Sequence, residues 1–179
     1  VYNFRQNDLK NGGSGAPLSP IYHKLILKNN NFDLPLCVLN IGGISNITVI
    51  KQYDLNEIIS KDIGPGNCMI DEWLRKNSKY TYDKDGLIAE SGIINNIILE
   101  QAQELYVNRL NKNSSSLDTK DFDISFVRGL SLEDGVATLT EFTAQIIADA
   151  LNTSLLDKED HPWKILLCGG GRKNKTLIK

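Results

Sequence analysis

Leu36-Cys37-Val38-Leu39-Asn40-Ile41-Gly42-Gly43-Ile44-Ser45-Asn46-Ile47-Thr48-Val49-Ile50 is the stretch from which the fold of this chain is read. Two β-rich runs flank a Gly-Gly pair, and the second run sets Ile44, Asn46, Thr48 and Ile50 against Ser45, Ile47 and Val49. That alternation fits a strand with two differently solvated faces, so the stretch predicts a β-hairpin. A Gly-Gly turn has no Cβ atoms, so its backbone is expected to take positive φ and to let another group approach closely. Asn40, Ser45 and Asn46 stand around the turn with short uncharged side chains that hydrogen-bond an anion. This is the composition of a phosphate-holding hairpin. It is equally that of an ordinary buried hairpin whose glycines serve only the turn.

Outside this stretch, composition sets the bounds. A chain of 179 residues suits one ordinary domain and is too short for two large ones. Its hydrophobic fraction of 41% and slightly negative mean hydropathy place it among globular chains with a buried core. A formal net charge of -2, with scattered Lys and Arg, gives no electrostatic footprint for nucleic acid. Apolar runs such as residues 63–70 and 93–99 stop well short of the roughly 20 residues that span a bilayer, so no membrane partner is expected. Cys37, Cys68 and Cys168 lie far apart without metal-ligand spacing. They read as small hydrophobes in a reducing cytosol, and a cytoplasmic location follows. The chain opens Val-Tyr-Asn-Phe-Arg, with neither an initiator Met nor a signal peptide in view, as a fragment would.

In chain order, residues 1–5 alternate as the end of a strand, and Asn11-Gly12-Gly13-Ser14-Gly15-Ala16-Pro17 reads as a loop. Pro17 and Pro20 favour an extended approach to a short helix over residues 22–27. A strand over residues 57–62 leads through Ile63-Gly64-Pro65-Gly66-Asn67 into a helix with Asn67 as its N-cap. Such a helix N-terminus offers free N–H groups to an anionic or hydroxyl-rich ligand. Residues 80–86 are turn-like. Residues 87–110 follow a helical pattern broken near Ser91-Gly92 and Asn95-Asn96, and residues 111–116 form a polar loop. Residues 130–151, capped by Ser131, give the clearest helix. An apolar strand over residues 163–168 then runs into Gly169-Gly170-Gly171.

Three glycine-rich turns therefore follow apolar strands, at Gly42-Gly43, Gly64-Pro65-Gly66 and Gly169-Gly170-Gly171. In α/β folds ligands sit at strand ends where backbone comes close, and three such ends are placed to converge on one cleft. None matches the P-loop or dinucleotide patterns, which disfavours both of those enzyme classes.

These segments together carry a resemblance. Residues 39–48, Asp62-Ile63-Gly64-Pro65-Gly66-Asn67 with Asp71, Tyr82-Asp83-Lys84-Asp85-Gly86, residues 137–144 and Cys168-Gly169-Gly170-Gly171-Arg172 occur in the order of the anhydro-N-acetylmuramic acid kinase family. That family is part of the sugar kinase, actin and heat-shock ATPase superfamily, and the resemblance covers essentially the whole chain. It implies an α/β, ribonuclease-H-like (actin-like ATPase) fold with a mixed sheet flanked by helices, in an incomplete two-domain kinase. Residues 1–35 correspond to the end of the first domain and a sugar-side loop, and residues 36–179 to the second domain. The implied activity opens the 1,6-anhydro ring of anhydro-N-acetylmuramic acid with water and phosphorylates O6, in cell-wall recycling. ATP and Mg²⁺ are the implied cofactors. A homodimer, or a missing N-terminal half, is the implied protein partner.

Residue by residue, the resemblance sets Asn40, Gly42, Gly43, Ser45 and Asn46 in a phosphate-binding hairpin and Gly169, Gly170 and Gly171 in the adenosine turn. Arg5, Asp62, Gly64, Gly66 and Asn67 are its cleft residues, and Glu141 is a candidate catalytic carboxylate. No residue is assigned as a metal ligand. The family's N-terminal phosphate-binding hairpin has no counterpart here. Its Asp-Phe-Arg motif reads Asn3-Phe4-Arg5, so Asn3 stands where the family has the Asp that resembles a general base. An amide accepts no proton from water, and loss of a general base costs ~10²–10⁴ in rate. Either a neighbour such as Asp8 or Glu141 substitutes, or the chain is a non-catalytic nucleotide- or sugar-binding remnant, or half of a split gene product. Asp83 and Asp85 read as turn residues, His23 as a structural histidine, and Arg5 either as a phosphate ligand or as a surface ion-pair partner.

Overall fold

The computed structural model describes residues 3–13, 15, 18–52, 58–110, 117–155 and 163–179. Among them, a four-stranded mixed sheet has the order β3-β2-β1-β4. Strands β1 (Leu36–Ile41), β2 (Ile44–Ile50) and β3 (Ile58–Pro65) form an antiparallel meander, and β4 (Lys164–Cys168) lies parallel to β1. The helices are α1 (Phe4–Lys10), α2 (Pro20–Asn29), α3 (Cys68–Asn77), α4 (Leu87–Ser91), α5 (Asn96–Leu110), α6 (Leu132–Ser154) and α7 (Lys175–Ile178).

The hairpin forms as the alternation predicts, with Ile41 opposite Ser45 and Asn40 opposite Asn46. Both faces of β1 are buried. Cys37, Leu39 and Ile41 pack with Ile47 and Val49 under Ile147 of α6 and Leu177 of α7. Leu36 and Val38 pack with Ile50 against Leu27 of α2 on the other face. Each fully buried aliphatic side chain of this kind contributes roughly 1.5–3 kcal/mol, so the hairpin is anchored from two sides.

Helix α6 is the other organising element. Ser131 caps it by accepting from the Asp134 N–H at 3.0 Å, and its buried stripe of Val136, Leu139, Phe142 and Ile146 joins Met69, Ile70 and Leu74 of α3 in one core. Trp73 locks the crossing, its indole N–H donating to the Leu132 carbonyl at 3.1 Å, and there is no room for a side chain at Gly135 beneath the ring.

Several local expectations are corrected. Phe4–Lys10 is a helix, not the end of a strand, because Asn3 Oδ1 accepts from the Gln6 N–H at 3.1 Å and starts a helical turn that five alternating residues do not outweigh. Helix α2 begins at Pro20, whose fixed φ suits a first turn, and runs to Asn29. Strand β3 continues through Ile63, Gly64 and Pro65, held by the pairs Ile44–Pro65 and Ser45–Gly64, so the turn is confined to Gly66 and Asn67. The break between α4 and α5 lies where Gly92 and Asn95 predict it. The polar loop over residues 111–116 lies outside the described residues.

Candidate functional site

The glycine turns are brought together by backbone hydrogen bonds. The Gly66 N–H donates to the Gly43 carbonyl and the Asn67 N–H to the Gly42 carbonyl, each at 2.8 Å. Asn67 occupies the N-cap position of α3 without capping it by its side chain, which instead donates from Nδ2 to the Gly42 carbonyl at 2.8 Å. Ser45, fully buried, donates to the Pro65 carbonyl at 2.9 Å. A Cβ at Gly66 would collide with the Gly42 carbonyl oxygen and stand 3.1 Å from Ser45 Oγ. On the far side, Gly169 has φ +81°, and a Cβ there would meet Asn40 Oδ1 at 2.6 Å.

The hairpin glycines differ from expectation. Neither Gly42 nor Gly43 is among the residues of positive φ. A Cβ at Gly43 would meet only a Thr119 methyl at 3.7 Å, and one at Gly170 would meet nothing within 4 Å. Within the three turns, the glycines whose place in the fold leaves no room for a Cβ are Gly64, Gly66, Gly169 and Gly171.

Gly42, Gly43, Asn67 and Gly170 line one cavity of about 680 Å³. Its opposite wall is the turn from Thr81 to Asp85, and Asp71, Lys173 and Asn174 close the sides. That wall is built firmly. Buried Asp83 accepts from the Ile88 and Ala89 N–H groups at 2.9 and 3.0 Å, capping α4. Thr176 Oγ1 donates to the Gly86 carbonyl at 2.8 Å, and the buried Asn174 caps α7 by accepting from the Leu177 N–H at 3.0 Å. Lys84 and Lys173 supply positive charge to the rim. Burial raises the Asp71 carboxyl to about 6, with Arg75 opposing and Asp83 adding to the shift.

The remaining candidate residues take other places. Asn40, Ser45, Asn46, Gly64, Gly66, Gly169 and Gly171 frame the cavity's turns without lining it. Asp62, opposite Asn46, accepts from the Leu117 N–H at 3.1 Å. Glu141 lies in a separate groove between α6, β1 and β4, accepting from Gln145 at 2.5 Å. His23 Nδ1 is 3.0 Å from Thr48 Oγ1, and partial burial holds its pKa below the ordinary value. Arg5 is exposed and lies within charge range of Asp118, whose neighbour Thr119 borders Gly43. Asp71, Thr81, Tyr82, Lys173 and Asn174 complete the cavity although the sequence reading gave none of them a ligand role.

A family model described as anhydro-N-acetylmuramic acid kinase matches residues 1–179. The chain belongs to the anhydro-N-acetylmuramic acid kinase family. Among curated relatives of that name, the one from Pelagibacter ubique (strain HTCC1062) is 47% identical over 179 residues, covering 100% of this chain and 48% of its own length. The one from Zymomonas mobilis subsp. mobilis is 42% identical over 180 residues, covering 100% and 47%. The one from Haemophilus influenzae is 34% identical over 195 residues, covering 100% and 49%. The chain thus spans about half the length of the curated relatives it matches. In this member of the kinase family, Asn3 is exposed and serves as the N-cap of α1. Asp8 Oδ2 accepts the Gly15 N–H at 2.8 Å, which ties it to the glycine loop. No helix among the described residues is long and apolar enough to cross a membrane.

Proposed function

We propose that the cavity between the hairpin tip and the Gly170 turn takes the nucleotide of an ATP-dependent sugar kinase. The observation that carries this is the character of Gly43 and Gly170. Both line the cavity, neither has positive φ, and a Cβ on either has room within the fold. Glycine there leaves backbone N–H groups bare to a ligand. Bare N–H groups flanked by Lys84 and Lys173 suit an anionic polyphosphate.

The reaction in this reading is hydrolytic opening of 1,6-anhydro-N-acetylmuramic acid with phosphorylation of O6, within cell-wall recycling. Residues 36–179 then make up a ribonuclease-H-like domain, a reading supported by the meander with β4 added parallel to β1. Residues 1–35, with Arg5 on the hairpin side, belong to the sugar-facing region. Phosphoryl transfer of this kind rests on positioning and charge neutralisation, which backbone-rich turns supply. Mg²⁺ supplies charge neutralisation on the phosphates when bound. Among the described residues no three His, Cys, Asp or Glu side chains are grouped to hold a metal ion, so no step is assigned to it.

Asn3 decides the remaining step. Its amide accepts no proton from an attacking water, Asp8 is engaged with Gly15, and Glu141 lies in another groove. The chain in this reading binds nucleotide and does not by itself turn over the anhydro sugar. Calorimetric titration with ATP, followed by coupled detection of ADP release on adding the sugar, tests both parts. Heat with ATP and no ADP release is the expected result. No heat contradicts the nucleotide site, and turnover contradicts the role given to Asn3.

A further inference from the structure

We infer that Asp71 is the residue that reads the ribose hydroxyls of the nucleotide, an inference that rests on the nucleotide reading of the same cavity. Asp71 sits in the first turn of α3 and lines the cavity beside Asn67. Of the other acids that line the cavity, Asp83 is committed, since both its oxygens are used on the α4 N–H groups, and Asp85 stands beside Lys84 on the turn rather than on α3. Among the described residues no hydrogen bond is made to the Asp71 carboxyl, on which Arg75 acts through its charge alone. A half-buried carboxyl without donors is an acceptor that a ligand is suited to complete.

The chemistry of the donor follows by exclusion. A carboxylate repels phosphate, so this part of the cavity faces the non-phosphate portion of the ligand. A metal-bridged phosphate is disfavoured because Asp71 belongs to no group of three ligating side chains. What remains is a neutral donor, and a vicinal diol offers two hydroxyls to the two carboxylate oxygens. Removal of one hydroxyl from such a pair costs roughly tenfold or more in affinity.

The test is calorimetry of ATP and 2′-deoxy-ATP against the chain and its Asp71→Asn variant, with and without Mg²⁺, and with thermal unfolding as the check on folding. The wild-type chain is expected to bind ATP about tenfold or more tighter than 2′-deoxy-ATP. In Asp71→Asn that ratio is expected to fall to about twofold or less, with 2′-deoxy-ATP, which keeps its 3′-hydroxyl, losing less affinity than ATP. Equal affinity of the two nucleotides for the wild-type chain overturns the inference whatever the variant does. So does a ratio that survives in Asp71→Asn, which is an equal loss for the two nucleotides, or a loss confined to Mg²⁺. Failure of the wild-type chain to bind either nucleotide overturns the underlying reading instead.

Discussion

The carbonyl oxygen of Gly42 accepts two hydrogen bonds from Asn67, one from the backbone N–H and one from Nδ2, each at 2.8 Å. One residue thereby fastens the start of α3 to the tip of the β1–β2 hairpin and fixes the spacing of two cavity walls. Asn67→Ala removes the side-chain bond and is expected to lower stability by ~1 kcal/mol, read by denaturant midpoint. Asn67→Asp, which sets a carboxylate against the same carbonyl, is expected to cost more. Equal stability of all three proteins contradicts the assignment.

Gly66 lies beneath that bond. An added methyl collides with the Gly42 carbonyl, so Gly66→Ala is expected to push the hairpin tip outward at a cost of ~1–3 kcal/mol. Denaturant unfolding reads the loss, and a neutral substitution contradicts the close packing.

Asp83 holds the far wall. Asp83→Ala leaves the Ile88 and Ala89 N–H groups without their acceptor and is expected to destabilise by ~2 kcal/mol or more, with amide exchange at those positions rising first. Unchanged protection there contradicts the capping role.

Asp71 gives a pH dependence of definite sign. Its folded pKa of about 6 lies above the ordinary 3.8, so the protonated form is the one the fold favours. The contribution is complete below the unfolded value and is lost as pH rises through about 6. Asp71→Asn is expected to melt increasingly above the wild-type chain as pH goes from 4 to 7. A difference in melting temperature that is flat across that range contradicts the burial of this carboxyl.

Much of this architecture is legible in the sequence because its signals are local. The alternation from Leu36 to Ile50 gives the hairpin, Ser131 gives the start of α6, and Gly92 with Asn95 gives the break before α5. Of the strand expected at residues 1–5, residues 1 and 2 lie outside the described residues, and from Phe4 the chain is helix for the same kind of reason, since the local cap at Asn3 wins over a short alternation. The convergence of Gly42, Gly43, Asn67 and Gly170 is legible only through strand-end logic and family resemblance. The wall from Thr81 to Asp85 is not. Its sequence announces a turn, with Asp85 at φ 57° and Gly86 at φ 79°. Which cavity that turn faces is set by a contact distant in the chain, from Thr176 to Gly86, and no short-range pattern encodes it.

The central claim is that the bound nucleotide, not the fold, accounts for glycine at positions 43 and 170. The most direct measurement is ATP affinity by calorimetry for Gly43→Ala and Gly170→Ala, beside their melting temperatures. Both variants are expected to melt within the range of a neutral substitution, about ±0.5 kcal/mol, and to bind ATP at least tenfold more weakly. Wild-type affinity in both variants contradicts the account.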